Sequence, residues 1–173
     1  NLSFNELNYK IGKDLKTSPK SEGEALTYSA NINYPILRNA IRSLLILGGF
    51  ENKNMYNETT GVETSDKSIN NLKTSLIFQN IDKIYLGGYM QSIITFTNGD
   101  LDLSGSSSDY NTDQGSSGAK TDGSFNKTNL QFLRIQRIAE AIDLQILASA
   151  QLASQNLDSS EKFTLGGVGG VRA

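Results

Sequence analysis

The residues with the most distinctive chemistry lie near the end of the chain, where a permanent charge follows a cluster of glycines. Gly166, Gly167, Gly169 and Gly170 precede Arg172. Glycine adopts backbone conformations that other residues avoid, so this segment can follow a tight path that turns back on itself. Arg172 carries a planar guanidinium with five donors, and such a group needs a carboxylate partner when it is buried. The pattern indicates either a re-entrant loop that buries a charge or a solvated tail.

Several kinds of functional site are excluded by residue type. None of the 173 residues is cysteine or histidine, which excludes thiol nucleophiles, Ser-His triads and Cys/His metal sites among them. The net charge of −2 provides no basic field for a nucleic acid. The acidic residues in the Ser- and Gly-rich segment 99–123 lack the spacing of a calcium-binding EF-hand. We therefore expect no enzymatic activity, no cofactor, no metal ion and no nucleic-acid partner.

The segments that must position the glycine-rich loop show regular alternation of apolar and polar residues. Leu26, Tyr28 and Ala30 alternate with Thr27 and Ser29. This period of two is typical of a β-strand with one apolar face and one uncharged polar face. Similar patterns predict an all-β fold, an antiparallel up-and-down meander of about seven strands, at residues 1–11, 25–34, 40–50, 69–80, 89–98, 125–138 and 144–155.

One part of this assignment has an alternative. Residues 130–152 contain neither glycine nor proline and include a run with good helix propensity. Their apolar residues at even positions, however, continue further than a helical period of 3.6 allows. We therefore predict two strands there rather than one helix.

The lengths of the connections indicate where such a sheet belongs. In a meander, alternate connections lie at the same end, and short turns at one end with long loops at the other are typical of outer-membrane β-barrels. Thr, Ser, Asn and Gln on the polar faces suit a watery lumen, whereas a soluble sandwich with one wet face is the alternative. The predicted long connections are 12–23, 51–67, 99–123 and the segment from 156, and the short ones are 35–39, 81–88 and 139–143.

The closing segment, residues 156–173, closely resembles the conserved loop of the two-partner-secretion transporters, the haemolysin secretion/activation family. That family carries the pattern S-E-K/R-F-x-L-G-G-x-x-x-V-R-[GA]-[YF]. Segments 9–14, 97–105, 123–127 and 133–137 also resemble the family, in the same order. The residues that match the loop pattern are Glu161, Lys162, Phe163, Gly166, Gly167, Val171 and Arg172.

The resemblance implies an outer-membrane transporter that exports a large haemolysin- or adhesin-like exoprotein, unfolded, from the periplasm. It implies that the loop from residue 156 enters the barrel lumen as a plug or gate, and that Arg172 pairs there with an aspartate of a later strand. It also implies that this chain is a middle section of the barrel, with substrate-docking domains before Asn1 and further strands after Ala173.

Other expectations concern the surfaces of such a section. Outer-membrane lipid should cover the apolar face in the full-length protein. The two unpaired edge strands should favour self-association of the isolated section. Arg134 is a candidate for lining the lumen.

Two other functions remain open. One is an outer-membrane insertase barrel, which folds other membrane proteins and uses a similar loop. The other is a soluble β-rich surface-binding module. The segments Gly99–Leu103 and Ser160–Phe163 favour secretion over insertion, because they match the secretion family's pattern.

Overall fold

The computed structural model describes residues 1–11 and 20–163, which form one seven-stranded antiparallel sheet. Each strand pairs with its neighbour in sequence, so the order in the sheet is the order in the chain. This confirms the predicted all-β up-and-down meander. The strands are β1 (Leu2–Ile11), β2 (Ser21–Arg38), β3 (Arg42–Thr59), β4 (Val62–Asp82), β5 (Gly88–Asp102), β6 (Gly123–Ala139) and β7 (Ile142–Ala153), with helix α1 (Ser107–Gln114) between β5 and β6.

Alternation along the strands gives the sheet two chemically different faces. Paired residues of antiparallel strands point to the same side, so the register shows which side chains share a face. Ile32, for example, is opposite Gly48, and Ile46 is opposite Leu76. One surface, which we call the apolar face, consists of the even-numbered residues 28–34, 44–50, 72–78, 92–96, 128–132 and 144–152. The odd-numbered residues between the bulges form the opposite surface, the polar face.

Polar side chains limit the apolar face at both ends. Towards the long connections, asparagine side chains bond to one another across neighbouring strands. Towards the short connections, arginine side chains bond to polar residues of β4. The four pairs are Asn52–Asn70 at 2.9 Å, Asn98–Asn126 at 3.0 Å, Arg42–Asn80 at 3.0 Å and Arg134–Asp82 at 2.9 Å.

The hairpin of β3 and β4 corrects one sequence-based assignment. Residues 51–67 were predicted to be a loop, but most of them extend the two strands, and the turn is only Thr60-Gly61. Both turn residues have positive φ, 56° and 74°, as in the two-residue turns that match strand twist. The apolar–polar alternation stops beyond the asparagine border because both faces are polar there. The pairing of the backbones continues without it.

The other strand limits differ from the prediction by smaller amounts. β2 begins at Ser21 and ends at Arg38, so it is longer at both ends than predicted. β5 includes residues 99–102, which were assigned to a loop. Residues 130–152 form β6 and β7, with Leu130 opposite Ala150, which confirms two strands rather than a helix.

The best-buried apolar cluster lies on the polar face, beneath the β5–β6 connection. Helix α1 belongs to this connection, and the Asp113 carboxylate holds the connection together by accepting bonds of 2.8 Å from the amide and the hydroxyl of Thr121. No helix within residues 1–11 and 20–163 has the length and hydropathy needed to cross a membrane. The buried cluster consists of Ile69, Leu101, Leu103, Phe125 and Leu157.

Replacing Gly99 should loosen this cluster. A Cβ at Gly99 would lie 2.3 Å from the Phe125 ring and 2.4 Å from Asn71 Oδ1, and both side chains are buried. We expect Gly99→Ala to cost about 1–3 kcal/mol of stability, the usual cost of overpacking. The measurement is the midpoint of denaturant-induced unfolding.

Gly48→Ala is the matched control for this substitution. Gly48 is also inside a strand, but a Cβ there would meet only Ile32 Cγ2, at an ordinary 3.5 Å. Equal midpoints for the two variants would contradict the prediction.

Candidate functional site

The chain returns to the sheet after β7, and residues 154–163, which we call the docked segment, lie against the polar face. Its best-buried polar side chain is Glu161, which is 3% exposed. Glu161 Oε1 accepts hydrogen bonds from Lys53 Nζ at 2.8 Å and Asn71 Nδ2 at 3.2 Å. Lys127 Nζ donates to Glu161 Oε2 and, at 3.0 Å, to the Glu161 backbone carbonyl. Three strands therefore hold one carboxylate.

The alternation within the strands brings these partners to one side. Lys53 belongs to β3, Asn71 to β4 and Lys127 to β6, each at an odd position on the polar face. Two further charges extend the network: Glu51 Oε1 accepts a bond of 2.7 Å from Lys73 Nζ and lies 3.2 Å from Lys53 Nζ. The site thus contains three lysines and two glutamates, a net charge of +1.

Other contacts fix the backbone of the docked segment around Glu161. Lys67 Nζ donates to both carboxylate oxygens of Asp158 at 2.9 Å, and Asp158 Oδ1 also accepts a bond of 2.9 Å from the Ser160 amide. The side-chain amide of Gln151 in β7 both donates and accepts a hydrogen bond. Its Nε2 donates to the Glu161 carbonyl at 3.0 Å, and its Oε1 accepts from the Phe163 amide at 2.9 Å. The segment is therefore held at both ends of the S-E-K-F motif.

The two acids of the docked segment have lowered pKa values. Burial by itself would raise the pKa of Glu161, but hydrogen bonds and charges from Lys127 and Lys53 outweigh it and bring the pKa below its ordinary 4.5. Burial likewise opposes ionisation of Asp158, and bonds from Ser160 and Lys67 lower its pKa overall. Both groups therefore favour the docked arrangement in their charged form.

The structure distributes the residues singled out in the sequence as follows. Of the loop motif, Glu161 is buried at the site, whereas Lys162 and Phe163 are exposed beside it. Their functional roles stay predictions. Gly166, Gly167, Val171 and Arg172 lie outside the described residues.

Arg134 lies at an even position of β6, on the apolar face, and its role in lining the lumen stays a prediction. It lies opposite Met90 on β5 and Ile146 on β7. Its guanidinium makes a bidentate pair with Asp82, and Gln136 accepts a further bond from it. The even position and the partner at the end of β4 place Arg134 at the border of the apolar face near the short turns.

The partners of Glu161 were not identified from the sequence. Lys53 falls in a predicted loop, Asn71 has no local signal of function, and Lys127 ends a segment that resembles the family without any sign of its partner. The available signal was the occurrence of lysines at odd positions of strands whose polar face is otherwise largely uncharged. Only the pairing of β3 to β6 shows that these lysines surround one acid.

The sheet is an unclosed antiparallel meander with one apolar and one polar face, as expected for a section of a β-barrel wall. Among solved structures the chain is similar to CdiB from Escherichia coli, with a TM-score of 0.75 and 20% sequence identity. The match covers 99% of this chain and 31% of CdiB, so the chain spans about a third of that protein's length. No family model and no curated protein matches the sequence. The likeness to CdiB establishes the fold.

The docked segment should detach at low pH. A lowered pKa means that docking is favoured by the charged Glu161, fully above about pH 4.5 and progressively less as the pH falls through the lowered value. Asp158 acts in the same direction. Spin labels at Ser159 and Gln131, two exposed positions, should report one short distance at pH 7 and a broad distribution near pH 3.

Glu161→Gln provides the comparison for this titration. It removes the charge that Lys53 and Lys127 require and should destabilise the docked state by about 3 kcal/mol, the scale for breaking a buried ion pair. The broad distribution should then be present already at pH 7. An unchanged short distance in both experiments would contradict the assigned role of Glu161.

Proposed function

We propose that this chain forms part of the wall and the loop base of an outer-membrane two-partner-secretion transporter, which exports a haemolysin- or adhesin-like exoprotein. The observation that carries the proposal is the return of the S-E-K-F segment to the polar face, where Glu161 is held by three strands. The fold likeness to CdiB, itself a two-partner secretion transporter, supports it. The activity is transport and involves no catalysis.

The dimensions of the apolar face support a location in a membrane. From Asn70 to Asn80, β4 advances by about ten residues, or about 33 Å at about 3.3 Å per residue. With strands tilted by about 40°, this corresponds to about 25 Å across the membrane, the height of the apolar band of outer-membrane barrels. Large apolar side chains on this face are exposed, among them Ile32 at 75% and Phe50 at 49%. Such a surface requires a cover, and lipid provides one.

The edges of the sheet support the role of a section within a larger barrel. β1 and β7 each pair on one side only within the described residues. Unpaired edges lead to association with other strands, and closure into a barrel removes them. In the complete protein we propose that further strands pair with β1 and β7. In the isolated chain the same edges would promote self-association.

The position of the docked segment supports a plug or gate made by the residues that follow it. Residues 164–173 begin directly after Phe163, so the contacts of Glu161 fix the base of the glycine-rich loop on the polar face. If that face lines the lumen, the loop starts inside the pore. Arg172 then reaches the aspartate of a later strand, which holds the plug in place. Release of these two contacts opens the path for the exoprotein.

The assignment of faces predicts different effects of an arginine substitution at two adjacent positions. Leu76 lies near the middle of the apolar face and is 41% exposed, whereas Ser75 lies on the polar face and bonds to Thr95. Leu76→Arg should destabilise the membrane-inserted protein by about 2–4 kcal/mol, the cost of a cation at the bilayer midplane. Ser75→Arg should be tolerated. Urea titration of the protein in lipid vesicles measures both, and equal effects would argue against a membrane location.

The proposed plug contact is tested by Arg172→Ala in the complete protein. Loss of the guanidinium leaves the aspartate partner unpaired, so export of the exoprotein should fall by about tenfold or more, as expected for a lost buried ion pair. The measurement is the amount of exoprotein in the culture medium at equal transporter levels. Lys83→Ala, at an exposed lysine in a short turn, is the control. Unchanged export with Arg172→Ala would contradict the proposed role of Arg172 in holding the plug.

A further inference from the structure

We propose that the lysines around Glu161 form a receptor for carboxylate side chains of the exported polypeptide, and that Glu161 occupies this receptor while the loop is docked. The ligand is thus an acidic residue in an extended chain. This inference rests on the proposed export function, which supplies that chain. It adds a site of recognition inside the pore and a way for the exoprotein to displace the loop.

The first observation is the arrangement of charge. Lys53, Lys73 and Lys127 line one open cavity on the polar face, together with Glu161 and Gln151. With Glu161 in place the network carries one excess positive charge. When the docked segment leaves, Glu51 is the one acid of this network that remains among residues 1–11 and 20–163, so the excess there becomes two. Three lysines that share one acid in a partly buried site attract another carboxylate, and charge-assisted hydrogen bonds make that contact strong.

The second observation is an unused hydrogen-bonding group beside these lysines. Thr97 is opposite Lys73 on one side and Lys127 on the other, and it is fully buried. Within residues 1–11 and 20–163 its hydroxyl has no hydrogen-bond partner, and the same holds for Asn129 Oδ1 near Lys127. Buried polar atoms are nearly always bonded in proteins. A hydroxyl between two lysines is a suitable further donor to a carboxylate.

The contacts of Glu161 show how such a ligand would bind. Its carboxylate accepts bonds from two ammonium groups and one side-chain amide. None of these contacts depends on which chain the carboxylate belongs to. An acidic residue of the exported chain that took its place would keep both lysines paired, so the exchange avoids the cost of leaving buried charges without partners. Exchange of one carboxylate for another therefore frees the Glu161 side chain and leaves the Asp158, Gln151 and Leu157 contacts as what holds the segment.

Peptide binding to the complete protein in detergent tests the receptor. Two fluorescent peptides of the same length, one with glutamate at every fourth position and one with glutamine there, are compared by anisotropy. The glutamate peptide should bind more tightly than the glutamine peptide. Glu161→Gln should tighten its binding about tenfold, because the internal competitor is gone. The double change Lys53→Gln and Lys127→Gln should weaken it by a similar factor.

Two further variants complete the experiment. Lys83→Gln removes an exposed lysine in a short turn and should leave the affinity for the glutamate peptide unchanged. Glu161→Asp keeps the charge but shortens the side chain, so it replaces Glu161→Gln if that variant fails to assemble. Equal affinities for the two peptides, or an equal loss with Lys83→Gln, would overturn the receptor.

Different results would contradict the proposed receptor and the proposed export function. If the complete protein exports its exoprotein normally but shows no preference for the glutamate peptide, the proposed function stands and the receptor is wrong. If deletion of the transporter leaves exoprotein export intact, the proposed function is wrong whichever peptide binds.

Discussion

The burial of the Glu161 carboxylate is the constraint on which the arrangement of the loop base depends. A carboxylate that is almost fully removed from water needs cationic partners, and Lys53 and Lys127 reach it from β3 and β6. These two strands are separated by β4 and β5, so the contact forms only when four consecutive strands are paired in register. Docking of the segment therefore depends on correct pairing of β3 to β6.

The sheet reverses the usual relation between burial and polarity. Its large apolar side chains are exposed on one face, while the buried apolar cluster lies on the polar face under the β5–β6 connection. Leu157 joins that cluster three residues after the docked segment begins, and Glu161 joins the lysines four residues later. One short segment thus combines an apolar contact with an ionic one. The apolar contact gives the segment its position, and the ion pairs make that position sensitive to charge.

The limits of the apolar face explain where the arginines of the sheet belong. Arg42 and Arg134 lie near the short turns, each bonded to a polar residue at the end of β4. Guanidinium groups at such a border can reach a polar surrounding while their stems cover apolar surface. Arg134 also contributes to the turn between β4 and β5. It pairs with Asp82 and donates to Gln136, and Gln136 in turn donates to the carbonyls of Ile84 and Gly87 in that turn. These arginines mark a boundary and do not contribute to the lysine network.

The sequence by itself determined the number of strands, their order and the identity of the two faces. Alternation in 26–34 and 69–80 is a local property, set by which side each residue faces, and it needs no knowledge of the partner strand. The motif around Glu161 was found through its resemblance to a family pattern, which is likewise local in the sequence. The sequence could not give the length of the β3–β4 hairpin. Beyond the asparagine border, polar residues occupy both faces, so the apolar–polar alternation is lost.

Only the tertiary structure decided what Glu161 contacts and that Arg134 pairs with Asp82. Lys53 and Lys127 are separated from Glu161 by 108 and 34 residues, and pairing across such distances follows from the register of several strands together. A change of register by one residue would move every lysine to the other face. The sequence therefore shows which residues are charged. It does not show that the lysines surround one carboxylate, because their positions depend on the register of four paired strands.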